Sequence, residues 1–176
     1  MRIHGLTLPE TLPIKGVYTL IILLNSKIKF KIRKFGCLNL QRGYYAYTGS
    51  AMGNGAASLR NRVARHFRKG KTKHWHIDFF LANKNARIVA VVAADSDVKR
   101  ECEINDCIKK IKGTTVPIRG FGASDCRHNC RSHLVYLGKG SFKEKVANAY
   151  RQVFGCCNVL DRFQIKESMR RVEKAI

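Results

Sequence analysis

Residues 45–66, with the sequence YAYTGSAMGNGAASLRNRVARH, bring together side chains that can act on a phosphate group. Two tyrosines precede a glycine-rich turn, and three arginines and His66 follow it, whereas the segment contains no Asp or Glu. Phenol and imidazole groups can take part in proton transfer, and a guanidinium group can hold two phosphate oxygens at once. A carboxylate, the usual protein ligand of Mg²⁺, is missing from the segment. If these groups act together with a divalent ion, the acid that holds the ion has to come from elsewhere in the chain.

The glycine-rich turn does not carry a known nucleotide-binding fingerprint. A phosphate-binding loop needs GxxxxGK[ST], or GxGxxG directly after a strand. The sequence GSAMGNG at residues 49–55 fits neither pattern, and no lysine follows its last glycine. We interpret it as a flexible connection between a strand and a helix.

Positive charge is the strongest compositional feature. The chain has 176 residues and a net charge of +22, and residues 11–77 hold 14 Lys or Arg with no Asp or Glu. So much charge of one sign predicts a polyanionic partner. A membrane surface usually binds a basic amphipathic helix, whereas here the charge lies on strand-like and loop-like sequence, so we expect nucleic acid and no membrane. The expected nucleic-acid-binding residues are Lys27, Lys29, Lys31, Arg33, Arg60, Arg65, Arg68, Lys69, Lys71 and Lys73.

Composition also indicates a compartment. The longest apolar run, residues 16–24, is too short to cross a bilayer, and the first residues lack the apolar core of a signal peptide. Seven cysteines, an odd number, fit a reducing environment better than a disulfide framework. We expect a cytoplasmic protein.

The order of elements predicts an α+β fold with a small, mostly antiparallel central sheet flanked by helices. Residues 16–24 and the alternating stretch 27–34 are expected to form a hairpin with one basic, solvated face. Further strands are expected at residues 43–49, 87–94 and 133–138, and helices at 58–69, 97–112 and 141–154. Residues 1–155 are predicted to be one domain, and residues 156–176 a basic helical tail.

Two segments rich in histidine or cysteine leave alternatives open. In HWHIDFF, His76 and Asp78 either orient a phosphate or a catalytic group, or belong to a hydrogen-bonded network of the fold. In SDCRHNCRSHL, the pair Cys126 and Cys130 with a nearby histidine is compatible with zinc, which needs four ligands. Candidate third and fourth ligands are His74, His128 and His133. Alternatively, Asp125 and His133 line an active site.

Three short motifs, in this order, resemble the GIY-YIG nuclease superfamily. Gly16-Val17-Tyr18 and Tyr47-Thr48-Gly49 stand at the places of its two name-giving tripeptides, and Leu59-Arg60-Asn61-Arg62 stands at its arginine helix. With LRNRVARH, KHWHIDFF, ECEI and GFGASDC…SHL, the chain looks like a mostly archaeal branch of Uri-type endonucleases over residues 13–155. The glycine-rich insertion is longer than in the repair nuclease UvrC, and no asparagine is placed at the superfamily's late position.

The resemblance implies a GIY-YIG-like fold and a metal-dependent endonuclease that acts on nucleic acid, with DNA favoured over RNA. It assigns water activation to Tyr18 with Tyr47 beside it, and phosphate stabilisation to Arg62. His66 lies one helical turn after Arg62, where some members carry a tyrosine or histidine. The alternative function is a non-catalytic DNA- or RNA-binding module on the same scaffold.

The resemblance also implies one Mg²⁺ or Mn²⁺ held by a glutamate of a later helix, which here is Glu101 or Glu103. Glu101 shares a helical stripe with Ile104 and Ile108 and therefore points inward, whereas Glu103 points aside. An inward carboxylate needs a partner, and a metal ion would serve. We take Glu101 as the metal ligand and Glu103 as the second choice.

Overall fold

The structure, a computed structural model, describes residues 11–124, 126, 128, 130–165 and 167. Its strands are β1 (Gly16–Leu24), β2 (Ile28–Ile32), β3 (Gly36–Leu40), β4 (Gly43–Ala51), β5 (Ala86–Ala94), β6 (Leu134–Gly138) and β7 (Asn158–Asp161). Its α-helices are α1 (Leu59–Phe67), α2 (His76–Leu81), α3 (Glu101–Lys109) and α4 (Lys143–Phe154). Within the described residues, no helix is both long and apolar enough to cross a membrane.

Five strands form the central sheet in the order β6-β4-β1-β5-β7, and every neighbouring pair is antiparallel. Helices flank this sheet, so the predicted α+β class with a small antiparallel sheet is confirmed. Strand β1 lies in the middle and is buried along nearly its whole length. A strand covered on both faces is expected to be a continuous apolar run, as GVYTLIILL is.

The predicted hairpin between residues 16–24 and 27–34 is wrong. Strand β1 pairs with β4 on one side and β5 on the other, and β2 pairs with β3 in a separate two-stranded sheet. Both edges of β1 are therefore taken by strands that are themselves mostly buried. The predicted solvated face of β2 is present, because Lys29 and Lys31 are exposed between buried Ile28 and Ile32.

The two faces of the central sheet have separate cores. One, which we call the aromatic face, takes Tyr18, Tyr45 and Tyr47 from the sheet and packs them against α1, α2 and the β2–β3 hairpin. The other, which we call the aliphatic face, takes Val17, Ile21 and other small or aliphatic residues and packs them against α3 and α4. Successive residues of β1 enter opposite cores because strand side chains alternate.

Strand β7 pairs with β5 in a segment for which the sequence predicts a helical tail. Its four residues, Asn158–Asp161, lie beyond the predicted domain boundary at residue 155 and complete one edge of the sheet. The last part of the predicted tail, residues 168–176, lies outside the described residues. The division of the chain at residue 155 stays a prediction.

Candidate functional site

A cleft of about 510 Å³ opens where strand β4 ends, and it is lined by residues from both faces of the sheet. Tyr18 and Tyr47 come from β1 and β4, Arg62 from α1 and Glu101 from the start of α3. These four residues are widely separated in sequence, and all four were expected at a site from the sequence. The cleft is also lined by His74, His76 and His133.

Tyr18 is held by a buried hydrogen bond to His66. The Tyr18 Oη and His66 Nε2 atoms are 2.8 Å apart, and both side chains are nearly fully buried. Burial raises the pKa of Tyr18 well above 10, the Tyr47 phenol raises it further, and the charge of Arg62 opposes the rise. Burial lowers the pKa of His66 to about 3. At neutral pH both partners are therefore uncharged.

Gly49 makes room for this pair. It lies opposite Tyr18 in the β1–β4 ladder, and a Cβ atom on it would stand 2.9 Å from the Tyr18 hydroxyl oxygen. Gly122 does the same for Tyr47: its φ is +72°, and a Cβ atom there would stand 2.8 Å from the Tyr47 ring. Glycines in the site therefore serve the close packing of its tyrosines.

Arg62 is fixed from two sides. Its Nη1 atom donates to the carbonyl oxygen of Ser50 at 2.9 Å, at the end of β4. Its guanidinium group lies 5.0 Å from the centre of the Trp75 ring, and Arg65 lies against the same ring at 4.3 Å. Helix α1, which carries both arginines, begins at the predicted cap Ser58, whose side chain accepts from the backbone N–H of Asn61.

Asp78 holds Arg65 and the backbone of Trp75 in place through hydrogen bonds. Its buried carboxylate accepts two hydrogen bonds from Arg65 at 3.0 Å, and two more from the backbone N–H groups of His74 and Trp75. Burial alone would raise the pKa of Asp78, but the hydrogen bonds from Arg65 and from the backbone lower it to about 2. The structure thus places Asp78 in a network of the fold, behind the cleft.

His76 lies in the cleft, and its hydrogen bond assigns its tautomer. Its Nδ1 atom accepts from the backbone N–H of Gly122 at 3.1 Å, so a neutral ring must carry its proton on Nε2. Burial, with the positive charge of Lys34 adding to it, lowers the pKa of His76. His76 therefore offers an N–H donor rather than a base.

Glu101 and Glu103 occupy different environments. Glu101 lines the cleft, and its Oε2 atom is buried without a hydrogen-bond partner. Glu103 is exposed and forms an ion pair with Arg100 at 2.6 Å. Among the described residues that line the cleft, Glu101 is the only acid.

The basic residues predicted to bind nucleic acid divide into several groups. Lys27, Lys29, Lys31 and Arg33 are exposed along β2 and its turn. That turn meets the cleft, because Lys34 donates to Ser124 at 3.1 Å and Phe35 packs against His76. Arg68 and Lys69 line a second cleft of about 500 Å³ together with Lys84, Arg87 and Arg162.

The remaining four residues predicted to bind nucleic acid each contact another group of the protein. Arg65 and Lys71 both contact Asp78, and Lys71 also donates to the backbone carbonyls of Arg65 and His66. Arg60 donates to the carbonyl of Leu12 at 2.6 Å. Lys73 is exposed, with its ammonium group 5.4 Å from the Phe79 ring centre. Arg65, Lys71 and Arg60 thus contribute charge and also fix the fold around α1.

A cluster of metal-ligand side chains lies beside the cleft. Ligand atoms of Cys102, Cys126, Cys130 and His133 all lie within 4.8 Å of one another. Three of these were expected from the sequence; Cys102, which directly follows Glu101, was not. The other histidine candidates differ: His74 lines the cleft and His128 is exposed, and Asp125 lies outside the described residues.

Two site residues were missed by the sequence reasoning. Lys99 lines the cleft two residues before Glu101, although the sequence held no motif that distinguishes it from the other lysines. Cys102 could have been found, since it is the one cysteine next to a predicted metal ligand.

Comparison with known proteins identifies the family to which the chain belongs. No curated protein and no solved structure matches the chain significantly. The family model described as "Domain of unknown function DUF123" matches residues 17–155, which include every described residue discussed above as part of the cleft and of the cysteine cluster. This match spans well over half of the chain, and the protein therefore belongs to the DUF123 family.

Proposed function

We propose that the protein is a metal-dependent endonuclease that hydrolyses phosphodiester bonds in nucleic acid, with DNA favoured, in the manner of the GIY-YIG nucleases that it resembles. One observation carries the proposal: Tyr18, Tyr47, Arg62 and Glu101 line a single cleft. Packing alone does not require two phenols, a guanidinium and a carboxylate from four elements to converge there. Phosphodiester hydrolysis can use such a set, because it draws on a proton acceptor for water, a fixed positive charge and a ligand for a divalent ion.

Arg62 would hold the phosphate. Its guanidinium is fixed by Ser50 and Trp75, so little freedom is lost when it binds an oxygen. A positive charge held in place stabilises the charge that gathers on phosphate oxygens in the transition state. His76, with its proton on Nε2, supplies a neutral donor in the same cleft.

Tyr18 and His66 would handle the proton of the attacking water. As the water oxygen bonds to phosphorus and the leaving oxygen departs, a water proton passes to Tyr18 Oη and the Tyr18 proton passes to His66 Nε2. The 2.8 Å contact between these atoms supports this transfer. Both groups are neutral beforehand, so His66 is free to accept the proton. Burial and Lys71 lower the pKa of His66, and Asp78 only partly opposes them, so the protonated histidine gives its proton up again once the bond to phosphorus has formed.

The chain also fits a divalent ion. Glu101 Oε2 is a buried carboxylate oxygen without a partner, and carboxylate oxygens are ligands that Mg²⁺ and Mn²⁺ prefer. A bound ion would neutralise charge on the phosphate and on the leaving oxygen. Glu103 suits this role less, because Arg100 occupies its carboxylate.

The exposed lysines favour nucleic acid as the substrate. The side chains of Lys27, Lys29 and Lys31 follow one strand that leads to the turn beside the cleft. A nucleic acid backbone lying along β2 would therefore be led to the cleft, which Arg62 also lines. We expect binding that depends on phosphate contacts and weakens steeply as salt rises.

Cleavage of nicked, branched, flapped and single-stranded DNA and RNA, assayed with Mg²⁺ and with Mn²⁺, tests the proposal. Glu101→Gln should reduce the cleavage rate about 10²-fold or more, because it removes the charge that holds the ion. Glu103→Gln, on the same helix turn, is the matched control and should cut like wild type. Binding by both variants should persist, since each change removes one acid from a strongly basic surface.

Two results would count against this assignment. If wild-type protein binds these substrates tightly and cuts none of them, the chain is a non-catalytic binding module. If it cuts and Glu101→Gln cuts equally well, the carboxylate is misassigned. A binding constant that does not change with salt would remove nucleic acid as the partner.

A further inference from the structure

The cysteine cluster beside the cleft joins two parts of the chain that are distant in sequence. Cys102 lies in the first turn of α3, whereas Cys126, Cys130 and His133 belong to the segment that leads into β6. The Cys102 Sγ atom is 3.3 Å from Cys126 Sγ and 3.8 Å from His133 Nε2. All the cysteines among the described residues are free thiols.

These distances suit a tetrahedral metal site. With Zn–S bonds of about 2.3 Å and Zn–N bonds of about 2.0–2.1 Å, the ligand atoms of such a site stand about 3.5–3.8 Å apart. Three thiolates and one imidazole are a common ligand set of structural zinc, and they suit Mg²⁺ or Mn²⁺ poorly because these ions prefer oxygen. A disulfide between Cys102 and Cys126 is the other chemistry that such close sulfur atoms allow, but it would use neither Cys130 nor His133.

The described part of the segment that carries Cys126 and Cys130 has little regular secondary structure of its own. The segment closes on itself through bonds from Gly120 N–H to Arg131 and from His133 N–H to Phe121. Between these closures, the described residues 122–124, 126, 128 and 130 belong to no helix or strand. A metal ion at the cluster would fix this part of the segment to α3.

A second contact already joins α3 to the same segment. The buried Asn105 side chain donates to the carbonyl of Ser132, the residue before His133. Asn105 lies one helical turn after Glu101, so the helix end that carries Glu101 is docked on residues 132–133. Cys102 comes three residues before Asn105, and its sulfur contacts His133, the residue that follows Ser132.

We propose that Cys102, Cys126, Cys130 and His133 bind one structural Zn²⁺, which holds the start of α3 against the segment before β6 and so positions Glu101 in the cleft. Four protein ligands leave no open position, so this ion would take no part in hydrolysis. The positioning of Glu101 rests on the proposed function, whereas the zinc site itself does not.

Metal analysis of the full chain, purified under reducing conditions without chelator, tests the zinc site directly. We expect about one zinc per chain, and tetrahedral thiolate absorption bands after replacement by Co²⁺. Cys102→Ser is the decisive variant, because Cys102 is the one ligand outside the segment before β6. Loss of an outer-shell partner already costs about 10–100-fold in metal affinity, so loss of this ligand should cost at least about 100-fold. Cys107→Ser, on the same helix, and the exposed Cys156→Ser are matched controls and should retain zinc.

Three results would overturn the proposed zinc site. The first is reduced wild-type protein that holds no zinc and takes none up in competition with a chromogenic chelator. Cys102→Ser would bind zinc as tightly as wild type. Mass spectrometry of protein taken from cells directly into acid, with its free thiols alkylated, would find Cys102 and Cys126 joined as a disulfide.

Hydrogen exchange tests the effect on Glu101 without any activity assay. Removing zinc should increase amide exchange in residues 104–109 of α3, whose N–H groups are hydrogen-bonded, and in residues 130–134, while α4 stays protected, because only the cross-linked parts are released. Unchanged exchange in residues 104–109 would refute the positioning role. A protein that binds zinc and shows this coupling but cuts no substrate would leave the zinc inference standing and the endonuclease proposal refuted.

Discussion

The aromatic and aliphatic faces of the central sheet share the same strands but bury different chemistry. On the aromatic face, buried Tyr18 contacts His66, and buried Asp78 of α2 forms an ion pair with Arg65 of α1. On the aliphatic face, buried Tyr150 contacts Thr19, which also contacts Thr48, each at 2.9 Å. Both faces thus satisfy buried hydroxyl groups, but only the aromatic face pairs one with a histidine, Tyr18 with His66.

The cleft itself belongs to neither face alone. Tyr18, Tyr47 and Arg62 reach it from the aromatic side, whereas Glu101 comes from α3, which packs on the aliphatic side. The two sets meet where β4 ends, since the sheet no longer separates them there. Proton-transfer groups and the acid are therefore held by separate cores, and each can be perturbed without the other.

The largest expected effect compares two buried tyrosines on opposite faces. Tyr18→Phe should reduce the cleavage rate about 10²- to 10⁴-fold, because it removes the hydroxyl that receives the water proton. Tyr150→Phe should change the rate far less, because Tyr150 does not line the cleft and reaches it only through Thr19 and Thr48. Each variant loses one hydrogen bond of about 1 kcal/mol, so both should unfold at similar denaturant concentrations. Equal rates for wild type and Tyr18→Phe would show that the Tyr18–His66 bond serves only the fold.

A second comparison uses neighbouring residues of β1 that enter opposite cores. Leu20→Ala and Ile21→Ala each empty a fully buried site and should each lower the free energy of unfolding by about 2–5 kcal/mol. Leu20 lies opposite Tyr47 in the ladder, so its cavity adjoins the tyrosines. Leu20→Ala should therefore slow cleavage even at saturating Mg²⁺, measured well below each melting temperature, whereas Ile21→Ala, whose core holds the helix of Glu101, should mainly raise the Mg²⁺ concentration required. A rate loss in Ile21→Ala at saturating Mg²⁺ as large as that in Leu20→Ala would mean that the two cores are not independent.

The sequence predicts those features of this arrangement that depend on residues close together in the chain, and it predicts poorly those that depend on residues far apart in the chain. The buried strand β1, the cap at Ser58 and the inward stripe through Glu101 and Ile108 follow from local patterns, which is why they were found. The partners of β1 depend on pairing across the whole chain, and the short distance from β1 to β2 favoured a hairpin that the buried edges of β1 exclude. The motif order led to the residues of the cleft, although their roles stay predictions.

No local pattern predicts the contacts that bring Cys102 to Cys126 and Lys99 into the cleft, although Cys102 stands next to the predicted metal ligand Glu101. Twenty-four residues separate the two cysteines, and their contact depends on how α3 docks beside β6. Strand β7 was missed for a related reason. Residues 158–161 are too few for a periodic signal, and they become a strand by pairing with β5.

The smallest expected effect is the pH dependence of stability that buried His66 gives the aromatic face. The described core residues of the aliphatic face include no histidine. Burial, reinforced by Lys71, Arg65 and Arg62 and opposed by Asp78, lowers the pKa of His66 to about 3. Unfolding returns it to its ordinary value of about 6.5, so the unfolded chain binds the extra proton between these two values. Stability from this group is complete above about pH 6.5 and falls as pH decreases, by about 1.4 kcal/mol at pH 5.5.

Denaturant unfolding at pH 7.5 and pH 5.5 measures this loss, and His66→Gln should reduce it by that amount. His76, whose pKa burial also lowers, contributes in the same direction, so His76→Gln is the second variant needed to separate the two histidines. Asp78 does not interfere, since its lowered pKa confines its effect to more acidic solution. If wild type and His66→Gln lose equal stability over this range, His66 binds its proton in the folded protein. The conclusion that Tyr18 and His66 are both uncharged, on which the proposed proton transfer depends, would then be wrong.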